Sequence, residues 1–548
     1  MKRISDVDRR RFLQGVGGVA AFATLSPKRA LALPGEPDPI RPEWHLSRRR
    51  RALELRMAAA MEEFRVPVPE HRNNGDEGLY PNRIGNYSKG LPHNRLGEVD
   101  SRAYQSLLTA LQTRDPGDFE EIVMGGNVPL VDPQAGLAFD MEGTDSHQMA
   151  LGPPPRLASA ERAGEAVECY WMALLRDVNF TQYASAPLAL EASDELSRMS
   201  DFRGPKENGR VTPHTLFRGF TAGDLIGPYV SQFLLKTVDF GAVTVEQRFN
   251  TYVLGTDYLM GAVAWLAVQD GSGPFADNQI DPRPRHIRNG RDLSAYVHVD
   301  VLFEAYFNAC LWLIDNGVPL NRGNPYFNRS RTQAGFGTFG PPHVKALLAE
   351  VATRALKAVW FQKWFVHRAL RPEEFGGLVH FTKTGEASYP LHSDVLDSQA
   401  VARISQANHT YFLPHAFPEG CPQHPSYGQG HGTVAGACAT IVKAFFDDSF
   451  ALSEITNIVQ AAEDGLSLVP YSGGDVDQIT VGGEMNKIAA NIAIGRNHAA
   501  VHWRSDYANS LLLGEAVAIS VLRDQKSCYN ELFDGFTFTK FDGTTITV

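Results

Sequence analysis

The stretch HPSYGQGHGTVAGACATIVKAFF, His424 to Phe446, joins a loop of unusual composition to an apolar run. His424 and His431 stand seven residues apart, with Pro425, Tyr427, Gly428 and Gly430 between them. The run that follows spaces small and apolar residues as a core helix does. Small loop residues ahead of a helix leave its first backbone N–H groups bare. Those groups and the helix dipole both face any anion placed there. The stretch therefore predicts a helical fold with an oxyanion site at a helix N-terminus and a histidine at its lip.

Outward from this point the chain keeps a helical character. Apolar residues recur at three and four in ERAGEAVECYWMALLRDVNF (161–180), VLFEAYFNACLWLIDNG (301–317) and PHVKALLAEVATRALKAVWFQKWF (342–365). Leu46 to Phe64 has the same spacing, and residues 33–45 read as a Pro-rich linker. Ser294 and Ser505 are candidate caps, and Pro342 suits a first helical turn. Residues 65–100 and 124–157 are rich in Gly, Pro and Asn and read as long ordered loops over a surface. From Ala160 onward the pattern stays largely helical. There is no βαβ rhythm and no internal repeat. The fold class is all-α, with short strands at most.

Composition narrows the function. The chain has 548 residues, 43% hydrophobic and 21% charged, with a formal net charge of −10. That is a globular chain with no basic surface suited to nucleic acid or membrane. Its five cysteines (Cys169, Cys310, Cys421, Cys438, Cys528) are scattered, with no CxxC pair. A zinc knot or disulfide framework does not fit them, and Cys438, within an apolar run, reads as a small core residue. The N-terminus has Arg9-Arg10-Arg11-Phe12-Leu13, a short Gly/Ala-rich apolar stretch and Ala30-Leu31-Ala32. This is the layout of a twin-arginine export signal over residues 1–32, and its apolar part is too short to span a bilayer. It implies a periplasmic or secreted protein that folds before it leaves the cytoplasm.

Three segments carry candidate chemistry. KWFVHRALRPEEFGG (363–377) places Lys363 near the end of a long helix and Arg371 before Pro372, which keeps Arg371 out of helical geometry. The opening stretch offers the Gly430 N–H and His431, an acid or base near neutral pH. GRNHAAVHWRSD (495–506) holds Arg496, then His502 six residues on, then Asp506 one helical turn later. An Asp so placed can orient the ring, leaving a neutral imidazole to ligate a metal or attack phosphorus. Singly, these segments read more readily as a solvated basic face, hydrogen-bonded structural histidines and a helix-surface charge pair. Together they supply Lys, two Arg, a bare N–H and two His around one oxyanion.

The order Lys…Arg-Pro, then P-S-Y-x-x-G-H, then R-x5-H-x3-D resembles the vanadium-dependent haloperoxidases, closest to their algal and bacterial bromoperoxidase branch. These share a site with type-2 phosphatidic acid phosphatases and bacterial class A acid phosphatases. The likeness extends to GPYVSQFLL (227–235), EVATRALKAV (350–359), NIAIGRNHAAVHWRSD (491–506) and KFDGTTI (540–546). It implies an all-α fold of two four-helix bundles with long loops. An N-terminal helical region would span 33–290, and a C-terminal bundle, 291–548, would carry a vanadate cofactor. His502 would bind vanadium. Lys363, Arg371, Arg496, Gly430 and Gln429 would hold the oxygens. His431 would help deprotonate hydrogen peroxide, Lys363 would polarise it, and Asp506 would orient His502. Halide would be oxidised to hypohalous acid, which halogenates organic acceptors. Relatives form dimers to dodecamers, so the resemblance implies a homo-oligomer.

The sequence also departs from the pattern. Gln429 stands where a serine is usual, and Ala500 where a glycine is usual, which predicts a mild packing change. Seven residues separate Lys363 from Arg371, the bromoperoxidase spacing rather than the shorter phosphatase one. His424 matches the bromoperoxidases, while Trp360 matches the fungal chloroperoxidases. Bromide and iodide are the expected halides, with chloride open. Two other functions stay open on sequence alone: an acid phosphatase with His502 as nucleophile, and a non-catalytic oxyanion binder.

Overall fold

A computed structural model describes residues 42–327 and 330–548. The export-signal segment, residues 1–32, and the linker up to residue 41 lie outside the described residues. The labelled helices are α1 (Pro42–Arg65), α2 (Ser101–Thr113), α3 (Ala160–Leu175), α4 (Pro187–Arg198) and α5 (Ala262–Gln269). They continue as α6 (Gly290–Val299), α7 (Glu304–Asp315), α8 (Pro341–Phe361) and α9 (Pro372–Thr384). The last are α10 (Gln399–Asn408), α11 (Gly430–Phe445), α12 (Val481–His498) and α13 (Arg504–Lys526). Among the described residues, strands occur only as three antiparallel pairs: Val238–Phe240 with Val243–Val245, Val459–Ala461 with Leu468–Pro470, and Thr537–Thr539 with Thr545–Thr547. The protein is all-α. From Ala59 to Val548 it forms one compact unit, and residue 290 falls inside it.

Helix α11, foreseen from its sequence, is the axis of the C-terminal bundle. It packs against α8, α12 and α13, and α8 also meets α13. Small residues set the closeness. A Cβ on Gly436 would lie 2.1 Å from the Leu511 carbonyl oxygen of α13, and one on Gly514 would lie 2.0 Å from the Thr433 carbonyl oxygen of α11. The two backbones touch where each helix has no side chain. A second group, α3, α4, α9 and α10, is centred on α3.

The helix starts follow local chemistry. Ser159 caps α3 by accepting from Arg162 N–H, and Thr480 caps α12 by accepting from Gly483 N–H. Pro341 and Pro342 open α8, as expected of Pro342. The two serine caps are corrected. Ser294 lies inside α6 and donates to Gly290 O, while Asn289 caps that helix by accepting from Asp292 N–H. Ser505 is already helical, and Trp503 holds the cap position of α13. Helix α1 also begins earlier than the linker reading placed it.

Two further expectations change. Between α4 and α5, residues 199–261 hold no α-helix, because Pro and Gly interrupt the chain repeatedly. The early loops are also more than surface. Residues 85–91 are buried, and their polar groups satisfy other elements: Tyr87 N–H donates to Arg368 O, Ser88 N–H to Glu374 Oε1, and Lys89 Nζ to Glu373 Oε2 and Cys421 O. Ala500 is strained rather than merely packed, since its φ of 66° lies in the left-handed region that glycine prefers. Cys438 is fully buried, as expected of a core residue, and the five cysteines are unbridged.

Candidate active site

Helix α8 does not stop at Phe361. It widens into a π-helical turn, Gln362–His367, that carries Lys363 inward. Lys363 is fully buried, and its Nζ donates to the carbonyls of Pro425 and Ser426, each at 2.7 Å. One turn earlier, Trp360 packs its ring 4.7 Å from the His424 ring and donates Nε1–H to Val131 O.

Arg371 is extended, as a residue before proline should be, and its N–H donates to Glu374 Oε2 at 2.7 Å. Its guanidinium is fully buried. Nε donates to His424 O, Nη1 to Val501 O and to His502 Nε2 at 2.9 Å, and Nη2 to His424 Nδ1 at 2.9 Å. Arg496, in the last turn of α12, donates to Val297 O and lies over the Phe417 ring. Its Nε is buried without a hydrogen-bond partner.

His502 follows α12. Its Nδ1–H donates to Asp506 Oδ2 at 2.7 Å, so its Nε2 lone pair faces Arg371. Asp506 is fixed in turn, accepting from the Ser426 hydroxyl and from Trp503 N–H. Both residues are buried, which excludes the helix-surface charge pair. Gly430 is the first residue of α11, and a Cβ there would lie 3.1 Å from the Trp360 ring, a tight contact that glycine avoids. His431 Nε2 donates to Asp300 Oδ1 at 3.0 Å. Gln429 is buried and donates Nε2–H to Ala493 O at 2.9 Å.

Trp360, His424, Gly430, His431, Arg496 and His502 line one cavity of about 320 Å³. Lys363, Arg371 and Gln429 stand in the layer behind it. A hollow of about 360 Å³ walled by Phe180, Tyr229 and Tyr471 is larger but holds none of these residues. Chemistry, not size, marks the site.

The electrostatics are one-sided. Lys363, Arg371 and Arg496 are buried, and among the described residues none of them forms an ion pair with a carboxylate. Burial first, then the charges of Arg371 and Arg496, push the Lys363 amine well below its ordinary range. Burial and Arg371 push Arg496 down to about 10. Burial and the same cations hold His502 and His424 well below the usual histidine range, so both rings are neutral near neutral pH. Uncompensated buried cations are costly, and an anion in the cavity relieves that cost. A neutral imidazole whose Nε2 lone pair accepts an Arg371 N–H suits a metal-centred oxyanion, or attack on phosphorus.

Sequence reasoning brought these ten residues to one place but missed their supports. Ser426 was visible inside the motif, and Glu374 stands three residues after Arg371, a capping-box spacing. Asp300 and the Ser88–Lys89 pair lie too far along the chain for any local pattern to link them to the site.

Known proteins resemble this chain over most of its length. A family model described as the VCPO second helical-bundle domain matches residues 344–531. The vanadium-dependent bromoperoxidase of Corallina pilulifera is 36% identical, over 92% of this chain and 98% of its own. That of Corallina officinalis is also 36% identical, over 88% and 93%. Among solved structures, the homohexameric second vanadate-dependent bromoperoxidase of Ascophyllum nodosum superposes with a TM-score of 0.88. It is 30% identical and covers 96% of this chain and 95% of its own.

Proposed function

The chain belongs to the vanadium-dependent haloperoxidases, and from that premise we propose that it uses vanadate and hydrogen peroxide to oxidise bromide to hypobromous acid. The observation that carries this reading is the His502 Nε2 lone pair set among three buried cations with no carboxylate partner. That donor set fits vanadate: a neutral nitrogen for the metal, and Arg, Lys and N–H donors for its oxygens. When bound, vanadate supplies a Lewis-acidic vanadium(V) that activates peroxide toward halide without changing oxidation state.

The protein's own groups take the remaining parts. His502 would hold the metal through Nε2, and Asp506 holds the tautomer that leaves this atom unprotonated. Lys363, Arg371, Arg496 and the Gly430 N–H neutralise oxygen charge, and Lys363 polarises the peroxide. Gln429, with one amide proton on Ala493, supports them from behind. His431, its Nε2–H on Asp300, keeps a basic lone pair at Nδ1 that takes a proton from incoming peroxide. Asp300 then stabilises the imidazolium. Trp360 and His424 form the wall past which halide approaches.

We assign bromide and iodide as halides and a diffusible organic molecule as acceptor. Chloride turnover is the open comparison. The twin-arginine signal supports export to the periplasm or beyond. The homohexameric relative supports a homo-oligomer. Among the described residues no single helix is long and apolar enough to cross a membrane. The test is bromination of a phenolic dye by the apo-protein with and without orthovanadate, beside a phosphate-ester assay without it. Vanadate-dependent bromination, lost in His502→Ala, is expected. Ester hydrolysis inhibited by vanadate, with no bromination, would make the protein a phosphatase. Anion binding without turnover would make it a binder.

A further inference from the structure

Beside His502–Asp506 and His431–Asp300, the cavity has a third histidine–carboxylate pair, which the reaction above does not use. His298 and Glu419 both line it, and His298 Nε2 donates to Glu419 Oε1 at 2.5 Å. The His298 ring stacks on Phe417, with centroids 3.7 Å apart and planes at 11°. The Arg496 guanidinium lies over that same Phe417 ring. The Tyr252 hydroxyl meets His298 Nδ1 at 2.5 Å. A tyrosine hydroxyl donates to a neutral Nδ1 and accepts from a protonated one. Both states of His298 are therefore hydrogen-bonded in place, and the ring can change charge without moving.

The surroundings of the pair are few and nameable. Asp300, two residues on, is committed to His431. Lys89 is buried and donates to the Glu419 backbone carbonyl, and its charge also favours the ionised Glu419 carboxyl. Tyr252, Tyr258, Arg496 and Cys421 stand nearby, and His424, His431 and His502 share the cavity wall. Burial pushes the Glu419 carboxyl up, but the bond and charge of His298 offset this and hold it below the ordinary carboxylate range. Glu419 is thus an anion on the wall of a cavity that must admit halide.

We propose that the His298–Glu419 pair is a specificity-determining charge gate for halide: neutral when His298 is protonated, and repelling anions when it is not. This rests on the haloperoxidase reading. The gate acts on the anionic substrate and leaves uncharged hydrogen peroxide alone. It is a through-space effect on entry, so it appears in the halide KM rather than in kcat.

The test is steady-state kinetics of wild type, Glu419→Gln and His298→Gln with vanadate bound, from about pH 5.5 to 8.5. The ratio of wild-type to Glu419→Gln bromide KM is expected near one at the acid end. It should rise to about threefold or more at the basic end, the size of one unit charge acting across a wet cavity. The peroxide KM and kcat of Glu419→Gln should track wild type. His298→Gln should raise the bromide KM at acid pH, because it leaves the carboxylate uncompensated. A second readout needs no turnover: bromide-81 NMR line broadening by the vanadate-free protein should strengthen in Glu419→Gln at basic pH. A flat KM ratio with unchanged line widths, or a peroxide KM that moves equally, would overturn the gate. A wild type that does not oxidise bromide at all would instead overturn the functional reading beneath it.

Discussion

Arg371 Nη1 sits 2.9 Å from His502 Nε2, donating to the very lone pair that the cofactor needs. The same guanidinium nitrogen also serves Val501 O. Vanadate held by His502 would exchange one bond for another, with Arg371 giving up Nε2 and its freed N–H becoming available to the anion's oxygens. Two buried neighbours change partners without new charge entering the protein side. Vanadate should accordingly stabilise the fold. At a hundredfold excess over its Kd, about 2.7 kcal/mol is expected, seen as a Tm rise of a few degrees by calorimetry. His502→Ala should lose this rise while remaining folded by circular dichroism.

Asp506→Asn should keep the fold and weaken vanadate about 10- to 100-fold. The carboxylate that accepts from His502, Ser426 and Trp503 becomes an amide that no longer fixes the ring tautomer. Vanadium-51 NMR titration measures the loss. Ser426→Ala should have a smaller effect in the same direction.

Glu374 holds the Arg371 backbone, and burial raises its carboxyl from 4.5 to about 7. A carboxyl raised on folding binds its proton more tightly in the native state. The Glu374 contribution to stability is therefore fully present below pH 4.5, falls as pH rises through that window, and is lost above about 7. Glu374→Gln removes this slope. The difference in unfolding free energy between wild type and variant should change by up to about 3 kcal/mol between pH 4.5 and 8, read from urea titrations. Parallel curves at all pH values would contradict it.

Gln429→Ser should tighten vanadate binding several-fold and lower stability by about 1–3 kcal/mol. The shorter residue gives up the bond to Ala493 O and leaves space behind the cavity. Calorimetric titration and urea midpoints separate the two effects, and a variant that gains stability would count against this account.

Gly436→Ala and Gly514→Ala should each cost about 3 kcal/mol or more, since either methyl would enter the backbone of the opposing helix. A methyl on Gly474, which meets nothing within 4 Å, is the control. Urea denaturation checks all three.

The sequence made α11 and its N-terminal site legible because both depend on local order: glycines before a small-residue helix, and an Asp one turn after a histidine. Lys363 and Arg371 were legible as a pair because proline fixes the geometry between them. The caps at Ser294 and Ser505 were misread because Asn289 and Asp506 compete for the same orphan N–H groups. Ala500 was misread because a residue type does not reveal its φ. Asp300 and Lys89 were invisible because pairing across 131 and 284 residues leaves no spacing to find.

The buried segment at residues 85–91 bears on how this enzyme can be divided. A fragment spanning the matched domain, 344–531, would carry His424, His431, Arg496, His502 and every other motif residue. It would lack Ser88 and Lys89, which brace Glu374 and Glu373, and Asp300, which holds His431. The motif-bearing bundle is therefore not a portable cassette. Grafted alone onto another scaffold, it would bring the anion's ligands without the acid–base partner that sets peroxide chemistry in motion.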